Sequence, residues 1–464
     1  MNSTTALKDF FAELATCVDA RDLYQEVPPA HLRDWSDEPP GTPVGLVTPR
    51  DTGQVAAVMA VCARHGVPVV PQGGLSGLAG GAVPSDGCLL LSLARMCAIE
   101  EVDSTVGTLR VQAGATLQSI QERAESAGWM FALDLGARGS CQIGGNIATN
   151  AGGNRVIRYG VMRDLVLGLE VVLADGQVVE LMQTMKKNNT GLDLRQLFIG
   201  SEGTLGIITR AVLKLSPGVS GANTALIAFA RYDQALQFLK RAQAALSGRV
   251  SAFELMWPDY YRFALRTLQR ADPFADEYGY YLLFDVQSSQ PEQDYPQFER
   301  LMIDAFEQGT VENAVLASSG REIQAFWHLR DCVAEMLSTL APTINFDVSV
   351  SLNRIGDFAD QLRATLDERF PELTNLFFGH VGDGNLHLVT GPVTGGKTME
   401  HAIESEVYRI TRDFSGSVSA EHGIGLHKKK WLRFSRSETE LALMRSIKQA
   451  LDPQGLLNPG KILD

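Results

Sequence analysis

The 464-residue sequence contains no run of about 18 apolar residues, the length needed for a membrane-spanning helix. Its first residues, MNSTTALKDFFAELATCVDARD, carry Lys8, Asp9, Glu13 and Asp19 where a secretory leader needs an unbroken apolar stretch. Basic residues are outnumbered, 41 Lys plus Arg against 54 Asp plus Glu, and the resulting charge of −13 is spread along the chain. No nucleic acid partner is expected on that balance. The six cysteines, at positions 17, 62, 88, 97, 141 and 332, form no C-x-x-C pair. Local spacing therefore assembles neither an iron–sulfur cluster nor a cysteine zinc site, and free thiols suit a reducing compartment. The expectation is a soluble, non-exported, cytoplasmic protein. Repeats of 20–50 residues are also missing, which excludes solenoids and arrays.

Apolar material is ample, at 45% hydrophobic residues, and suffices for two or three domains. Residues 43–74 predict a β-α-β unit, with Val55, Val58, Met59 and Cys62 on one helical face and Gly66 as its stop. Alternating segments follow at 88–93 and 109–113, then a helix from Thr116 to Ala127. The run VLGLEVVLADGQVVEL (166–181) predicts a hairpin around a two-residue Asp175-Gly176 turn. The first domain therefore reads as mixed α+β, without the regular β-α repeat of a doubly wound sheet. Composition turns small and polar at Ser216-Pro217-Gly218, where a new domain starts. Strands near 279–286, 344–351 and 375–389, interleaved with helices, predict an antiparallel sheet covered on one side by helices. The expected division is 1–216, 217–420 and a returning segment 421–464.

Three glycine-rich segments stand out. PQGGLSGLAGG (71–81) follows a strand and gives consecutive N–H groups room to cradle an anion such as a pyrophosphate. It matches neither G-x-G-x-x-G nor G-x-x-x-x-G-K-[ST], so nicotinamide-dinucleotide and ATPase folds lose support. GARGSCQIGGNIATNAGG (136–153) supplies a second stretch of nearly bare backbone, suited to a large flat ligand. IGSEGTLGIITR (199–210) is the third.

His380 and His387 flank VGDGNL. If Asp383-Gly384 is a two-residue turn, 380 faces 387 across the hairpin, with Cβ atoms about 4.5–5.5 Å apart. Two imidazoles at that spacing could share one Zn²⁺ or form a plain pair of sheet histidines. His31, His65, His328, His401 and His427 read as surface or packing histidines.

Taken together, PQGGLSGLAGG, GSCQIGGNIATNAGGNRVIRYG, FIGSEGTLGIITRAVLKL, FGHVGDGNLHLV, SAEHGIG and LDPQGLLNPGKIL resemble the FAD-binding oxidoreductases of the vanillyl-alcohol-oxidase type, D-2-hydroxy acid dehydrogenase branch. The resemblance runs from about Pro43 to Pro459. It implies a two-subdomain FAD-binding domain plus an antiparallel-sheet substrate (cap) domain. Gln72, Gly73, Gly74, Leu75, Ser76, Gly77 and Leu78 would hold the pyrophosphate of FAD. Gly139, Ser140, Gly144, Gly145, Ala148, Thr149, Asn150, Gly152 and Gly153 would run along the flavin, Glu202, Gly203, Gly206 and Ile207 would lie near the adenine, and Asn458 would reach in from the tail. Relatives with covalent FAD often use a histidine in the first loop; 71–81 has none, so non-covalent FAD is expected.

The resemblance also makes Glu421 a third ligand beside His380 and His387, for a divalent metal, Zn²⁺ before Mn²⁺ or Co²⁺, on which a 2-hydroxy acid could chelate. His422 becomes the general base; in extended chain it would face away from Glu421 yet toward the same substrate. Arg330 becomes the grip on the substrate carboxylate. Relatives that oxidise D-2-hydroxyglutarate carry a threonine, a lysine and an asparagine where this chain has Ala334, Asn345 and Val389. Those polar groups are the natural partners of a second carboxylate, so the expected substrate is monocarboxylic, D-lactate or a larger homologue, with D-2-hydroxyglutarate as alternative. A zinc hydrolase and an inactive metal or nucleotide sensor are the competing classes. The electron acceptor is left open among a quinone, an electron-transfer flavoprotein and a cytochrome, as is a homodimer.

Overall fold

The computed structural model describes residues 4–463. Among them no helix is long and apolar enough to cross a membrane, and all six cysteines are free thiols. The chain forms two compact units. The first takes in the chain up to Gly152, Gly160–Gly218 and everything from Glu421 onward; the second is Gly153–Tyr159 with Val219–Ala420.

The first unit holds two sheets. One orders its strands as Leu23–Tyr24, Gly45–Val47, Leu89–Ser92 and Val69–Gln72, the last three mutually parallel. The helix Thr52–His65 connects two of them; Asp51 caps its start by accepting from Gln54 N at 2.9 Å, and Gly66 ends it in the left-handed region at φ 63°. Its buried face is Val55, Val58, Met59, Val61 and Cys62. The tail adds to this sheet, since Val69 N donates to Leu456 O at 2.7 Å and Asn458 N to Val69 O at 2.8 Å.

The other sheet is antiparallel, ordered Ile99–Asp103, Thr108–Gln112, Ile207–Lys214, Val166–Val172 and Val178–Leu181. Its hairpin at Asp175-Gly176 is not the expected two-residue turn. Val172 pairs with Val178, and Leu173 N donates to Gln177 O at 2.9 Å around Ala174, Asp175 and Gly176. Gly176, at φ 88°, supplies the left-handed residue that a three-residue loop needs.

The second unit is a seven-stranded antiparallel sheet in the order Asn313–Leu316, Gly221–Phe229, Tyr280–Ser288, Ala252–Met256, Thr374–Gly379, Asn385–Gly391 and Ile344–Ser349. Helices cover both of its faces, not one. On one side the helices Pro258–Leu268, Gly320–Asp331 and Val333–Leu340 bury Tyr260, Leu329 and Met336 against Met256, Leu283, Phe378 and Val389. On the other, Phe238 of Tyr232–Ala245 and Phe298 of Pro291–Glu307 pack on Phe253 and Phe284. The sequence shows this in near-continuous apolar strands such as TALIAF and YLLF, which suit a sheet buried on both faces and not a half-exposed one.

Residues 153–159 also depart from the expected division, because their polar side chains are anchored in the second sheet. Arg155 forms an ion pair with the buried Asp285 and bonds Ser251 Oγ, and Arg158 donates to Gln287 O at 2.6 Å. Asp285 accepts from Thr224 Oγ1 at 2.6 Å and Ser251 Oγ at 3.0 Å as well. Asp285→Ala should therefore destabilise the second unit by about 3–5 kcal/mol, the usual result of stripping one partner from a buried pair. Urea denaturation measures it, and a loss below about 1 kcal/mol would show that the network contributes little.

Candidate active site

The two long glycine loops meet in the first unit. A Cβ on Gly74 would lie 2.0 Å from Ser140 O and 2.9 Å from Cys141 Cα, so only glycine lets the loops close together there. Leu75 follows in the left-handed region at φ 56°. Gly73 lies 3.7 Å, by the same measure, from Gln142 and from Gly145, while a Cβ on Gly145 would meet nothing. Gln142 Oε1, 3.7 Å from a Cβ on Gly73, and Asn146 Oδ1 on the helix that follows are buried acceptors without a hydrogen-bond partner. In the tail, Asn458 Oδ1 is left in the same condition. Orphaned acceptors beside bare backbone fit a ligand rich in hydroxyl and N–H donors, and FAD has both.

Several residues expected at the cofactor also have structural roles. Gln72 is buried and fully engaged: its Nε2 donates to His31 O and Ala82 O, and its Oε1 meets His31 Nδ1 at 2.8 Å. Glu202, at φ 50°, accepts from Ile424 N at 2.7 Å and Gly425 N at 2.8 Å. Burial pushes its carboxyl pKa up against the opposing pull of those N–H groups and Lys428. Gly144, Gly203 and Gly206 are packing glycines, their Cβ positions falling within 2.7 Å of Ala113, Pro71 and Val171, and Ile207 is buried in its strand. Ser140 and Thr149 bond back to nearby carbonyls, and Asn150 Oδ1 accepts from Arg163 N. Gly139 and Gly152 lie in irregular parts of the second glycine-rich segment and Ala148 ends its short helix Ile143–Ala148; Ser76 and Gly77 lie in the first with the exposed Leu78, whereas Gly153 belongs to the second unit. The sequence reading missed Gln142 and Asn146; their signal was two amides inside an otherwise small-residue run.

The second unit carries the histidines, in a register that differs from the expected one. His387 pairs with Phe378, not with His380, because Val381–Asp383 winds into a 3₁₀ turn closed by Gly384 at φ 95°. His380 sits one step beyond the strand, where Asn385 N and Asp383 N both donate to its carbonyl. The rings still meet, 5.2 Å apart between centroids and 86° between planes. Beside them lies Arg330, 4% exposed, its guanidinium 4.8 Å above the Phe378 ring. Its Nε donates to Glu254 Oε2 at 2.8 Å, and its Nη2 lies 3.5 Å from His380 Nδ1. Glu254 Oε1 holds His380 Nδ1 at 2.7 Å. Burial would raise the Glu254 pKa, but His380 and Arg330 outweigh it and bring it down to about 2. The carboxylate is therefore ionised.

The segment before Glu421 is laid along the edge strand Ile344–Ser349. Ser417 and Ser349 exchange backbone hydrogen bonds, Ser419 Oγ donates to Asp347 Oδ2, and Ala420 N donates to Asp347 O at 3.3 Å. Asp347 pairs directly with His387 across the strands, and Ala420, bonded to Asp347, is the residue before Glu421. Ligand atoms of His380, His387 and Glu421 all lie within 4.8 Å of one another. Two imidazoles and a carboxylate suit Zn²⁺ and leave a fourth position open. The chain bends at Glu421 and His422 and is not extended there, so alternation along a strand does not orient His422. Gly423 and the N–H groups bound by Glu202 fix the turn that follows. Of the remaining expected pocket residues, Val389 is buried in the apolar cluster beside Phe378 and pairs with Asn345, which is exposed, as is Ala334 on its helix.

A cradle of glycine loops with unfilled acceptors, together with a buried Arg–His site on a separate sheet, defines a flavin-dinucleotide oxidoreductase. The chain belongs to the FAD linked oxidases: residues 43–182 match the FAD binding domain and residues 220–462 the C-terminal domain of that family. It is 39% identical to the mitochondrial D-2-hydroxyglutarate dehydrogenase of Bos taurus, over 98% of this chain and 84% of that one. It is also 39% identical to the D-2-hydroxyglutarate dehydrogenase of Xanthomonas citri pv. viticola, over 93% and 92%. At 35% it resembles a Schizosaccharomyces pombe protein provisionally named as a mitochondrial D-lactate dehydrogenase, over 92% and 83%. The fold is the vanillyl-alcohol-oxidase type; a p-cresol methylhydroxylase structure superposes with a TM-score of 0.79 at 15% identity, covering 100% of this chain and 98% of that one.

Gly74→Ala should push the two loops apart and yield protein with little or no flavin. Absorbance near ~450 nm per protein reads the loss, and full flavin content in this variant would show that the Gly74–Ser140 contact is dispensable.

Proposed function

We propose that the chain is an FAD-dependent, metal-assisted dehydrogenase that oxidises a D-2-hydroxy acid to the 2-keto acid. The observation that carries this reading is the gathering of Arg330, His380 and His387 on one sheet face with Glu421 brought to them by the next segment. Bound FAD supplies a hydride acceptor at flavin N5 for the hydrogen on C2. A divalent ion on the two histidines and Glu421, Zn²⁺ by its donor set, supplies Lewis acidity that makes the substrate hydroxyl easier to deprotonate.

The chain's own groups do the rest. Arg330 grips the substrate carboxylate with the N–H groups that its Nε bond to Glu254 leaves over. His422, one residue past Glu421, takes the hydroxyl proton at a ring nitrogen. FAD is held without a covalent bond, as the 71–81 loop offers no histidine. A zinc hydrolase loses ground because the glycine loops belong to an FAD binding domain. The electron acceptor is a quinone, an electron-transfer flavoprotein or a cytochrome, and the setting is a reducing one.

A monocarboxylate with a small or apolar side chain, such as D-lactate, is the favoured substrate. Val389 is packed among Tyr260, Met336 and Phe378 and offers a second carboxylate no partner, and Ala334 and Asn345 offer no cation. D-2-hydroxyglutarate is the second reading, favoured by the names and 39% identity of two relatives.

His422→Asn should keep its flavin and slow anaerobic flavin reduction by about 10²–10⁴-fold, the range for loss of a general base; an unchanged stopped-flow rate would place the base elsewhere. Steady-state comparison of D-lactate, D-2-hydroxybutyrate, D-mandelate, D-malate and D-2-hydroxyglutarate should give the highest kcat/KM to a monocarboxylate. A preference for both dicarboxylates over every monocarboxylate would overturn the pocket argument.

A further inference from the structure

Glu254 lies mid-strand in Ala252–Met256, near the centre of the seven-stranded sheet, and is 1% exposed. Its neighbours on that face include Met256, Leu283 and Phe378, an environment where a carboxylate is out of place unless both oxygens are matched. They are. Leu255 pairs with Gly379, so the same register carried one residue on sets Glu254 across from His380. Oε1 then meets His380 Nδ1 at 2.7 Å while Oε2 accepts from Arg330 Nε at 2.8 Å. One carboxylate thus touches both a candidate metal ligand and the candidate substrate grip.

We propose that Glu254 is a positioning residue that fixes His380 and Arg330 together, so that metal binding and carboxylate binding are set by one buried side chain. This rests on the dehydrogenase reading above. A carboxylate only accepts hydrogen bonds, so His380 must carry its proton on Nδ1 and leave Nε2 as the lone-pair nitrogen for a metal. On the other side, the Nε bond orients the guanidinium plane and leaves its terminal N–H groups for an anion. A glutamine here keeps size and one acceptor but offers N–H where His380 now donates. It would favour the opposite tautomer, whose Nε2 bears the proton and cannot ligate.

The test strips metal from the flavin-loaded enzyme with a chelator and titrates Zn²⁺ back against a chromogenic competitor, in wild type, Glu254→Gln, Glu254→Asp and His387→Ala. Glu254→Gln should retain flavin and melting temperature, bind Zn²⁺ about 10- to 100-fold more weakly, and show a raised KM for its 2-hydroxy acid. Glu254→Asp keeps the charge but is one methylene short of reaching both partners, and should fall between. Wild-type Zn²⁺ affinity and KM in Glu254→Gln, with affinity lost in His387→Ala, would overturn this proposal alone. No specific Zn²⁺ binding in wild type would overturn the metal reading and this proposal with it. If Glu254→Gln fails to fold, Glu254→Asp decides: folded with native affinity and KM it overturns the proposal, folded with both weakened it supports it. Failure of both to fold would make Glu254 a scaffold residue and overturn the positioning role.

Discussion

The ionised Glu254 carboxylate, held between Arg330 and His380 inside an apolar sheet face, is the constraint on which the second unit's chemistry depends. Such a group is stable in the interior only when its charge is answered and its lone pairs are filled. Both conditions are met by residues distant in sequence, 76 positions away for Arg330 and 126 for His380. The sheet must therefore hold the strands Ala252–Met256 and Thr374–Gly379 in one register, and the helix Gly320–Asp331 must present its last turn over them. Tyr260 Oη, donating to Arg330 O at 2.6 Å, ties the neighbouring helix to the same point.

In the first unit the corresponding constraint is close approach of backbone. Glycine at 74 lets the two loops touch, and glycine at 425 lets the tail reach Ala79, whose carbonyl would lie 2.0 Å from a Cβ there. Glu202 completes the arrangement by accepting the N–H groups of residues 424 and 425. Polar side chains that resemble ligand contacts in the sequence, Gln72 and Glu202 above all, are used to hold loops. Among the described residues, the buried acceptors without a hydrogen-bond partner include Gln142 Oε1, Asn146 Oδ1, Asn458 Oδ1 and Asp34 Oδ2, groups that suit a donor-rich ligand. Function in this unit is carried by what the loops leave open.

The helix Thr52–His65, the antiparallel character of the second sheet, the glycine-rich segments and the closeness of the two histidine rings around VGDGNL, though not their register, were legible, because each depends on local pattern: periodicity, capping, turn residues. The misreadings share one cause. The 175–176 and 383–384 turns both contain Asp-Gly, but the same dipeptide serves a three-residue loop in one and a 3₁₀ turn in the other, and only the strands on either side decide which. Likewise, apolar runs fit a sheet covered on one face or on both until the number of helices packed on it is known. Residues 153–159 left their expected domain because Arg155 and Arg158 found partners in the second sheet.

Motif content and order, through their resemblance to a known family, pointed to an α+β flavoprotein with glycine-rich FAD segments at 71–81 and 136–153, and it was that resemblance which named His380, His387, Glu421 and Arg330 as parts of one site. Those are matters of residue type and spacing, which a linear sequence records. Glu254 was invisible there, a lone acid in SAFELMW whose meaning depends on what lies across the sheet and above it. Tertiary structure alone decided it, because register and helix packing choose a buried charge's partners and chain proximity does not.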